Sequence, residues 1–356
     1  MSDFKGGMLR ALVWLLVLAV LLGFWMLADA RHVSAAVPED RSAILYPLYT
    51  PETLLQAARE HHFVPATRQF QKQLSELSSS AQAYCAGNSD LPGLQARYKS
   101  TLLAWLGLSA VVDGPMLSTH LVREIDFRPL RERLLERALT LQAQGALNMA
   151  QVGSPGRGLP ALERLWFVQP VAAGEPACAY SLAVLQDIQT RVDALNWNPP
   201  NDAPALVQQY FNQVLGAVQA LAWQNMKKPL LAHQDSKAEG PVRWPHSQLG
   251  LTEQAWQTIW RSVRHVLVMP HAAAPDPQQA VLPLEAYLRG LGHHTVADAL
   301  WLAVERANEA ISQLDAQTPA SVQKASEALQ ALASALQTQV APAMAVAVQF
   351  SSSDGD

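Results

Sequence analysis

The stretch Arg157-Gly158-Leu159-Pro160-Ala161-Leu162-Glu163 predicts a sharp turn that opens a helix near the middle of the chain. Pro160 suits a first helical turn, because its missing N–H would have no partner there in any case. Glu163 would lie in the same turn, where the helix dipole favours a negative charge. The spacing alone therefore indicates a well-capped helix start. We expect Glu163 to be partly buried, and to accept backbone N–H bonds or pair with Arg157 or Arg123, since a buried carboxylate needs such partners.

Helical periodicity continues on both sides of this turn. One clear run of apolar side chains at helical spacing consists of Leu182, Leu185, Ile188, Val192 and Leu195. Strand-forming residues are sparse and do not alternate, which favours an all-α protein. Each half of the chain offers about four helices. We therefore predict two helical bundles, residues 51–200 and 201–350, with the boundary at Pro199-Pro200.

Local patterns add three expectations. Ser78-Ser79-Ser80 is expected to end the first helical segment, which opens at Pro51, and a further helix is expected from Arg128 to Met149. The pair His61-His62 is expected at a solvated helix end. Adjacent helical residues point about 100° apart, so this pair cannot bind one metal ion as an i, i+4 pair would.

The composition limits the classes of function. Of the 356 residues, 16% are charged and 49% are hydrophobic, which is ample for a buried core. The formal net charge of −4 is too weak to argue for a nucleic-acid or anionic partner. No stretch resembles a basic binding stripe, so we expect no nucleic-acid partner.

The first thirty residues read as a targeting segment. Lys5 and Arg10 precede an uncharged, almost wholly apolar run over residues 11–28. A secretory apolar region is usually about 7–15 residues long and a membrane-spanning helix needs about 20, so both alternatives stay open. We predict a signal peptide or membrane anchor over 1–30 and a linker over 31–50. The positive charges before the run place the rest of the chain outside the cytoplasm.

The chain contains two cysteines, Cys85 and Cys178. One pair without a leftover thiol, in a chain sent to an oxidising compartment, favours a disulfide bond between them. A catalytic thiol is the alternative, but it would need a histidine partner, and the sequence around neither cysteine offers one.

Several stretches, in order and spacing, share a pattern with one bacterial family. They are Gly158-Leu159-Pro160-Ala161-Leu162-Glu163, Ala104-Trp105 followed by Gly114-Pro115, Arg123 to Pro129, Cys178-Ala179-Tyr180, and Phe350 to Asp356. Together they resemble the imelysin-like proteins of the bacterial cell envelope, in particular a branch with the Arg-Gly-Leu-Pro-Ala-Leu-Glu signature. Two positions depart from the family pattern: Arg128 stands where tryptophan is usual, and Ser351 stands where asparagine is usual.

The resemblance implies two related helical bundles and a periplasmic binding role in the uptake of iron or a related ligand, without turnover. It places the ligand where Arg157, Gly158 and Glu163 meet other polar groups, with Arg123 as a further candidate. The family pattern Gly-x-His-x-x-Glu has been interpreted as a metal site, which makes iron or another divalent cation at Glu163 a candidate. Here the histidine position is Pro160, which has no ligand atom.

Two other classes of function stay open. The founding members of the family were described as peptidases, so a metal-dependent peptidase is one alternative. A structural or interaction module that uses the loops 233–248 and 270–280 is the other; His246, the single histidine in the stretch from Trp244 to Ser247, indicates little by itself. Asp354 and Asp356 could hold a hard cation, or residues 351–356 could be a disordered acidic tail. The expected partners are a small ligand or metal ion, envelope uptake proteins, and the membrane through residues 11–28.

Overall fold

The computed structural model describes residues 41, 43–197, 203–236 and 240–349. Throughout these ranges the ordered elements are helices and no strand occurs, which confirms the all-α prediction. No helix within them is long and apolar enough to cross a membrane. The predicted targeting segment 1–30, the boundary Pro199-Pro200, and the acidic tail with Asp354 and Asp356 lie outside the described residues, so they stay predictions.

Two groups of helices follow each other along the chain. The first group comprises α1 (Pro51–Ala58), α2 (Val64–Cys85), α3 (Leu91–Ser109), α4 (Gly114–Ser118), α5 (Leu121–Ile125), α6 (Glu132–Ala143), α7 (Leu159–Glu163) and α8 (Pro176–Asp193). The second comprises α9 (Ala203–Ala220), α10 (Lys228–Ser236), α11 (Thr252–Leu267), α12 (Leu284–Gly290), α13 (His294–Ser312), α14 (Pro319–Ala335) and α15 (Ala341–Ala343).

Turns of π-helix interrupt the longer helices. They span Arg59–Phe63 between α1 and α2, Arg164–Val168 after α7, Leu221–Lys227 between α9 and α10, and Leu336–Val340 between α14 and α15. Such turns occur mostly as single turns inside α-helices and are frequent at functional sites. Two of the four border the regions that are described below as candidate binding sites.

Helices α2 and α3 form the hairpin on which the first group is built. Asp90 caps α3 by accepting a bond from the backbone N–H of Gly93 at 2.9 Å. Across the hairpin, the Thr101 hydroxyl donates to the carbonyl of Gln73 at 3.0 Å. Helix α8 packs against α2 and α6. The hairpin therefore fixes the position of the segments that follow α3.

The second group joins the first through two helices. Helix α11 packs against α3 as well as α13, and α9 packs against α1 as well as α14. The buried apolar side chains of both groups belong to one continuous cluster, whose largest fully buried members include Trp105, Trp166 and Trp256. Burial of this cluster supplies the main driving force for folding.

Two predicted helix boundaries are wrong. Ser78-Ser79-Ser80 does not end the first helical segment, because α2 continues to Cys85. The Ser79 hydroxyl donates back to the carbonyl of Ser75 at 3.1 Å, which lets it remain inside a helix whose opposite face is buried. The helix expected from Arg128 to Met149 is limited to Glu132–Ala143.

The expectation for His61-His62 is also wrong. Both residues lie in the π-helical turn Arg59–Phe63, and His62 is buried with only 6% of its surface exposed. Its imidazole faces His265 of α11 rather than solvent. The sequence could not show this contact, because the two histidines are 203 residues apart.

The predicted disulfide bond is present. Cys85 at the end of α2 is bonded to Cys178 in the first turn of α8, with the two Cα atoms 5.7 Å apart. In the chain-entropy model, closing a loop of this length stabilises the fold by about 4 to 5 kcal/mol. The bond holds α8, which follows the signature turn, against the end of the α2–α3 hairpin.

Candidate functional site

The signature turn is built on a glycine that no other residue can replace without strain. Gly158 has φ 78° and ψ −165°, and a Cβ atom there would lie 2.2 Å from the carbonyl oxygen of Ile125. This combination of angles is essentially restricted to glycine. Helix α7 then begins at Leu159 with Pro160 in its first turn, as the sequence predicts. The close contact with Ile125 fixes the turn against the end of α5.

Glu163, the last residue of α7, is partly buried and paired with an arginine. Its Oε2 accepts a bond from Nη2 of Arg128 at 2.9 Å, and 14% of its side chain is exposed. The expected partners Arg157 and Arg123 are wrong. Arg128 is also held by Asp126, whose Oδ1 lies 2.8 Å from Nε. Asp126 in turn accepts a bond from the indole N–H of Trp105 at 3.1 Å.

Tyr98 of α3 lies beside the carboxylate of Glu163. Its hydroxyl donates to the carbonyl of Leu159 at 3.0 Å and lies 3.5 Å from Oε2 of Glu163. Burial, followed by the negative charge of Glu163, raises the pKa of Tyr98 well above its ordinary value. The phenol therefore stays protonated and acts only as a hydrogen-bond donor and apolar support, not as a base.

Arg157 belongs to a different, structural network. It is buried with 5% of its surface exposed and pairs with Glu124 of α5 and Asp187 of α8. Arg191 contacts the same two carboxylates at 3.2 and 2.9 Å. Arg157 therefore ties the signature loop to two helices and does not face Glu163.

Arg123, the other expected partner, is equally remote from Glu163. Its guanidinium lies over the ring of Phe127, 5.8 Å from the ring centre. Gly158 contributes only buried backbone at the turn. Of the four residues predicted to bind the ligand, Glu163 lines the cleft described next, and ligand binding by any of the four stays a prediction.

A cleft of about 430 Å³ opens beside Glu163. Its polar lining consists of Arg128, Glu132, Glu163 and Arg164, and its apolar lining of Pro129, Leu130, Pro160 and Val168. Nε of Arg164 donates to both carboxylate oxygens of Glu132 at 2.9 and 3.0 Å. Nη1 of Arg164 is buried and has no hydrogen-bond partner among the described residues. We call this the signature cleft.

Sequence reasoning missed most of the signature cleft. Tyr98, Arg128 and Arg164 are absent from the predicted site residues. Arg128 alone carries a signal, because it stands where the family pattern has tryptophan. Once an arginine occupies that position, a neighbouring carboxylate is needed to balance it in a partly buried place. Asp126 and Glu163 are the carboxylates that pair with it.

His246 brings the second group of helices close to the same residues. It adopts a left-handed backbone conformation with φ 60°, just before the short helical turn Ser247–Leu249. Burial, and then the positive charge of Arg128, lowers the pKa of His246 to about 4, so its imidazole is neutral at pH 7. Its Nδ1 is buried without a partner among the described residues. His246 thus lies in the electrostatic field of Arg128.

The residues at the signature turn do not fit a metal ion of the kind that the family pattern implies. A catalytic zinc site needs three protein ligands and an open position. Pro160 supplies no ligand atom, and the charge of Glu163 is balanced by Arg128. Within the described parts of the chain, no three or more His, Cys, Asp or Glu side chains converge as a metal site.

The chain matches one family profile and solved structures that share its fold. The sequence profile of a family described as imelysin, Peptidase_M75, matches residues 63–349. No curated protein sequence matches the chain. An imelysin-like protein from Psychrobacter arcticum 273-4 superposes with a TM-score of 0.66 at 18% identity, covering 86% of this chain and 100% of that one.

A second solved structure has the same fold. It is the provisionally named iron-regulated protein A precursor from Parabacteroides distasonis ATCC 8503, with a TM-score of 0.64 and 13% identity. The match covers 88% of this chain and 97% of that chain. At such low identity both structures show a shared fold and no more.

Proposed function

The chain belongs to the imelysin family, and on that premise we propose that it is a cell-envelope binding protein that acts in iron-associated uptake without chemical turnover. The association with iron rests on the structural relative from Parabacteroides distasonis, which is described as iron-regulated. The absence of turnover rests on the chemistry of the signature cleft.

The observation that carries the proposal is the ion pair between Arg128 and Glu163. A hydrolytic metal centre would need Glu163 as a free carboxylate ligand or base. Here its charge is balanced by a guanidinium at 2.9 Å, and the neighbouring family position is Pro160. A peptidase built on this turn would first have to break that pair, which favours a binding role.

The signature cleft suits an oxygen-rich anionic ligand better than a bare cation. Arg128 and Arg164 line it together with their carboxylate partners Glu163 and Glu132, and Nη1 of Arg164 is a buried donor without a partner among the described residues. Guanidinium groups recognise carboxylates through paired N–H donors. Pro129 and Pro160 provide an apolar surface beside them. A carboxylate chelator that carries iron combines the required charge with the required acceptors.

Location in the cell envelope is consistent with two features of the chain. The apolar run over residues 11–28, preceded by positive charges, has the composition of an export or anchor segment. The disulfide bond between Cys85 and Cys178 is typical of proteins in oxidising compartments. A binding protein located there would pass its ligand to envelope uptake proteins.

Calorimetric titration of the full-length protein with ferric citrate, and separately with iron-free citrate, tests this function. We expect ferric citrate to bind, and Arg164→Gln to weaken that binding at least tenfold, or about 1.4 kcal/mol. Arg261→Gln is the matched control, because Arg261 is an exposed arginine of α11 outside the cleft. Equal affinity in wild type and Arg164→Gln would contradict the proposal.

A peptide-hydrolysis assay separates binding from catalysis. The proposed function predicts no metal-dependent cleavage of a mixed peptide library by the wild-type protein. Cleavage that disappears in Glu163→Ala, while Glu76→Ala on the surface of α2 retains it, would establish the peptidase alternative instead.

A further inference from the structure

A second cavity, of about 270 Å³, lies beside the π-helical turn Arg59–Phe63 and has no lining residue in common with the signature cleft. Phe63 and Trp197 form one wall, with ring centres 4.9 Å apart and planes inclined by 11°. Gly114 lies close to this wall, since a Cβ atom there would be 3.4 Å from Cζ3 of Trp197. Leu206 of α9 lines the cavity from the second group of helices.

The cavity contains a partly buried carboxylate, that of Asp113, which has no cationic partner among the described residues. Oδ1 of Asp113 accepts a bond from the side-chain amide of Gln209 at 2.8 Å. Burial raises the pKa of Asp113, while the hydrogen bonds from Gln209 and the backbone of Gly114 act in the opposite direction. The one basic residue in the lining, Arg59, is instead held by Glu60 at 2.8 Å. A buried carboxylate without a counter-charge is costly to a fold.

Two further polar groups beside the cavity lack partners. The indole N–H of Trp197 and the hydroxyl of Tyr210 are both buried, and neither forms a hydrogen bond with any described residue. Burial, and then the charge of Asp113, raises the pKa of Tyr210, so its hydroxyl stays protonated. Tyr210 also meets Phe63 edge to face, with ring centres 6.3 Å apart. Unpaired buried groups in a native fold call for an explanation.

We propose that this cavity binds a small primary amine in its ammonium form, with an apolar or aromatic body. The ammonium group would donate to Asp113 and supply the missing counter-charge. The body would lie against Phe63 and Trp197, whose faces also attract a cation. A dry cavity of about 150 Å³ is enough to hold benzene, so this one has room for a ring with a short amine-bearing chain.

The contribution of the Asp113 charge to amine binding can be tested separately from that of the cavity volume beside Leu206. Phenethylamine and its neutral counterpart phenethyl alcohol serve as probes, titrated by calorimetry into the full-length protein at millimolar concentration. We expect wild type to bind phenethylamine at least tenfold more tightly than phenethyl alcohol. Asp113→Asn should remove that difference, whereas Asp193→Asn, at an exposed position on α8, should preserve it.

Leu206→Phe provides a test that does not depend on the carboxylate. The larger side chain would fill the cavity from α9, so phenethylamine binding should be lost while circular dichroism and the unfolding midpoint stay close to those of wild type. The proposal is overturned if wild type binds neither probe, if it binds both equally, or if Leu206→Phe folds and binds phenethylamine as wild type does. None of these outcomes bears on citrate binding at the signature cleft.

Discussion

The imidazoles of His62 and His265 meet through their Nδ1 atoms, 3.2 Å apart, across the contact between the first π-helical turn and α11. Their ring centres are 5.4 Å apart. One Nδ1 donates the hydrogen bond and the other accepts it, so the accepting ring is neutral in this arrangement. Burial, and then His265, lowers the pKa of His62 to about 3, and burial lowers the pKa of His265.

Acid is therefore expected to destabilise the protein through this pair. A histidine whose folded pKa lies below its unfolded value of about 6.5 binds protons more readily in the unfolded chain. The stability it contributes is complete above pH 6.5 and is lost as the pH falls towards 3. For His62 alone the loss is about 1.4 kcal/mol per pH unit.

Urea unfolding of wild type and His62→Gln at pH 7 and pH 5 measures this effect. Between the two pH values, the free energy of unfolding of the variant should fall by about 2 kcal/mol less than that of wild type. His293→Gln, at the exposed start of α13, should follow wild type. Parallel losses in wild type and His62→Gln would show that the pair does not control the acid response.

Substitution of Gly158 should destabilise the fold more than substitution of an unhindered glycine. In Gly158→Ala the new Cβ would lie 2.2 Å from the Ile125 carbonyl oxygen, in a backbone region almost closed to other residues. We expect a loss of about 3 kcal/mol or more. Gly174→Ala is the matched control, because Gly174 has φ 79° with nothing within 4 Å of the added atom. Equal losses in thermal or urea unfolding would contradict the steric argument.

Reduction of the disulfide bond should lower stability without abolishing the helical content. We expect a loss of about 4 to 5 kcal/mol in the free energy of unfolding, comparable in the Cys85→Ser/Cys178→Ser variant and in reduced wild type. Thiol titration of the denatured, unreduced protein should find no free thiol. Two free thiols in protein taken from its native compartment would refute the pairing.

The sequence predicts the local features of this protein well. The turn at Gly158 and the position of Pro160 follow from residue chemistry that acts within one helical turn. The pairing of Cys85 with Cys178 follows because no other cysteine is present. Helical periodicity depends only on neighbours within about seven residues, so the all-α fold was equally accessible.

The site itself depends on contacts that a single sequence does not encode visibly. Glu163 pairs with Arg128, 35 residues earlier, while the nearer Arg157 is used by Glu124 and Asp187. Charge alone cannot distinguish these arginines before the packing of α5, α7 and α8 is known. The sequence does not reveal the burial of His62 for the same reason, because its partner His265 belongs to another helix. Local signals predict turns and helices, and long-range packing decides which charges meet.

The Glu163→Gln variant distinguishes an anionic ligand from a bare cation at the signature cleft. Gln preserves the shape of the side chain but leaves Arg128 with only Asp126 as a charged partner. The cleft then becomes more positive, so we expect ferric citrate to bind about threefold more tightly, or about 0.7 kcal/mol. A site that binds a bare cation through Glu163 would instead lose at least tenfold in affinity for the metal ion. Glu76→Gln is the matched control, because it removes the carboxylate that pairs with Arg97 outside the cleft. This variant should leave the affinities for ferric citrate and for the metal ion unchanged. Unchanged affinity for ferric citrate and for iron salts in a fully folded Glu163→Gln protein would remove Glu163 from the binding site.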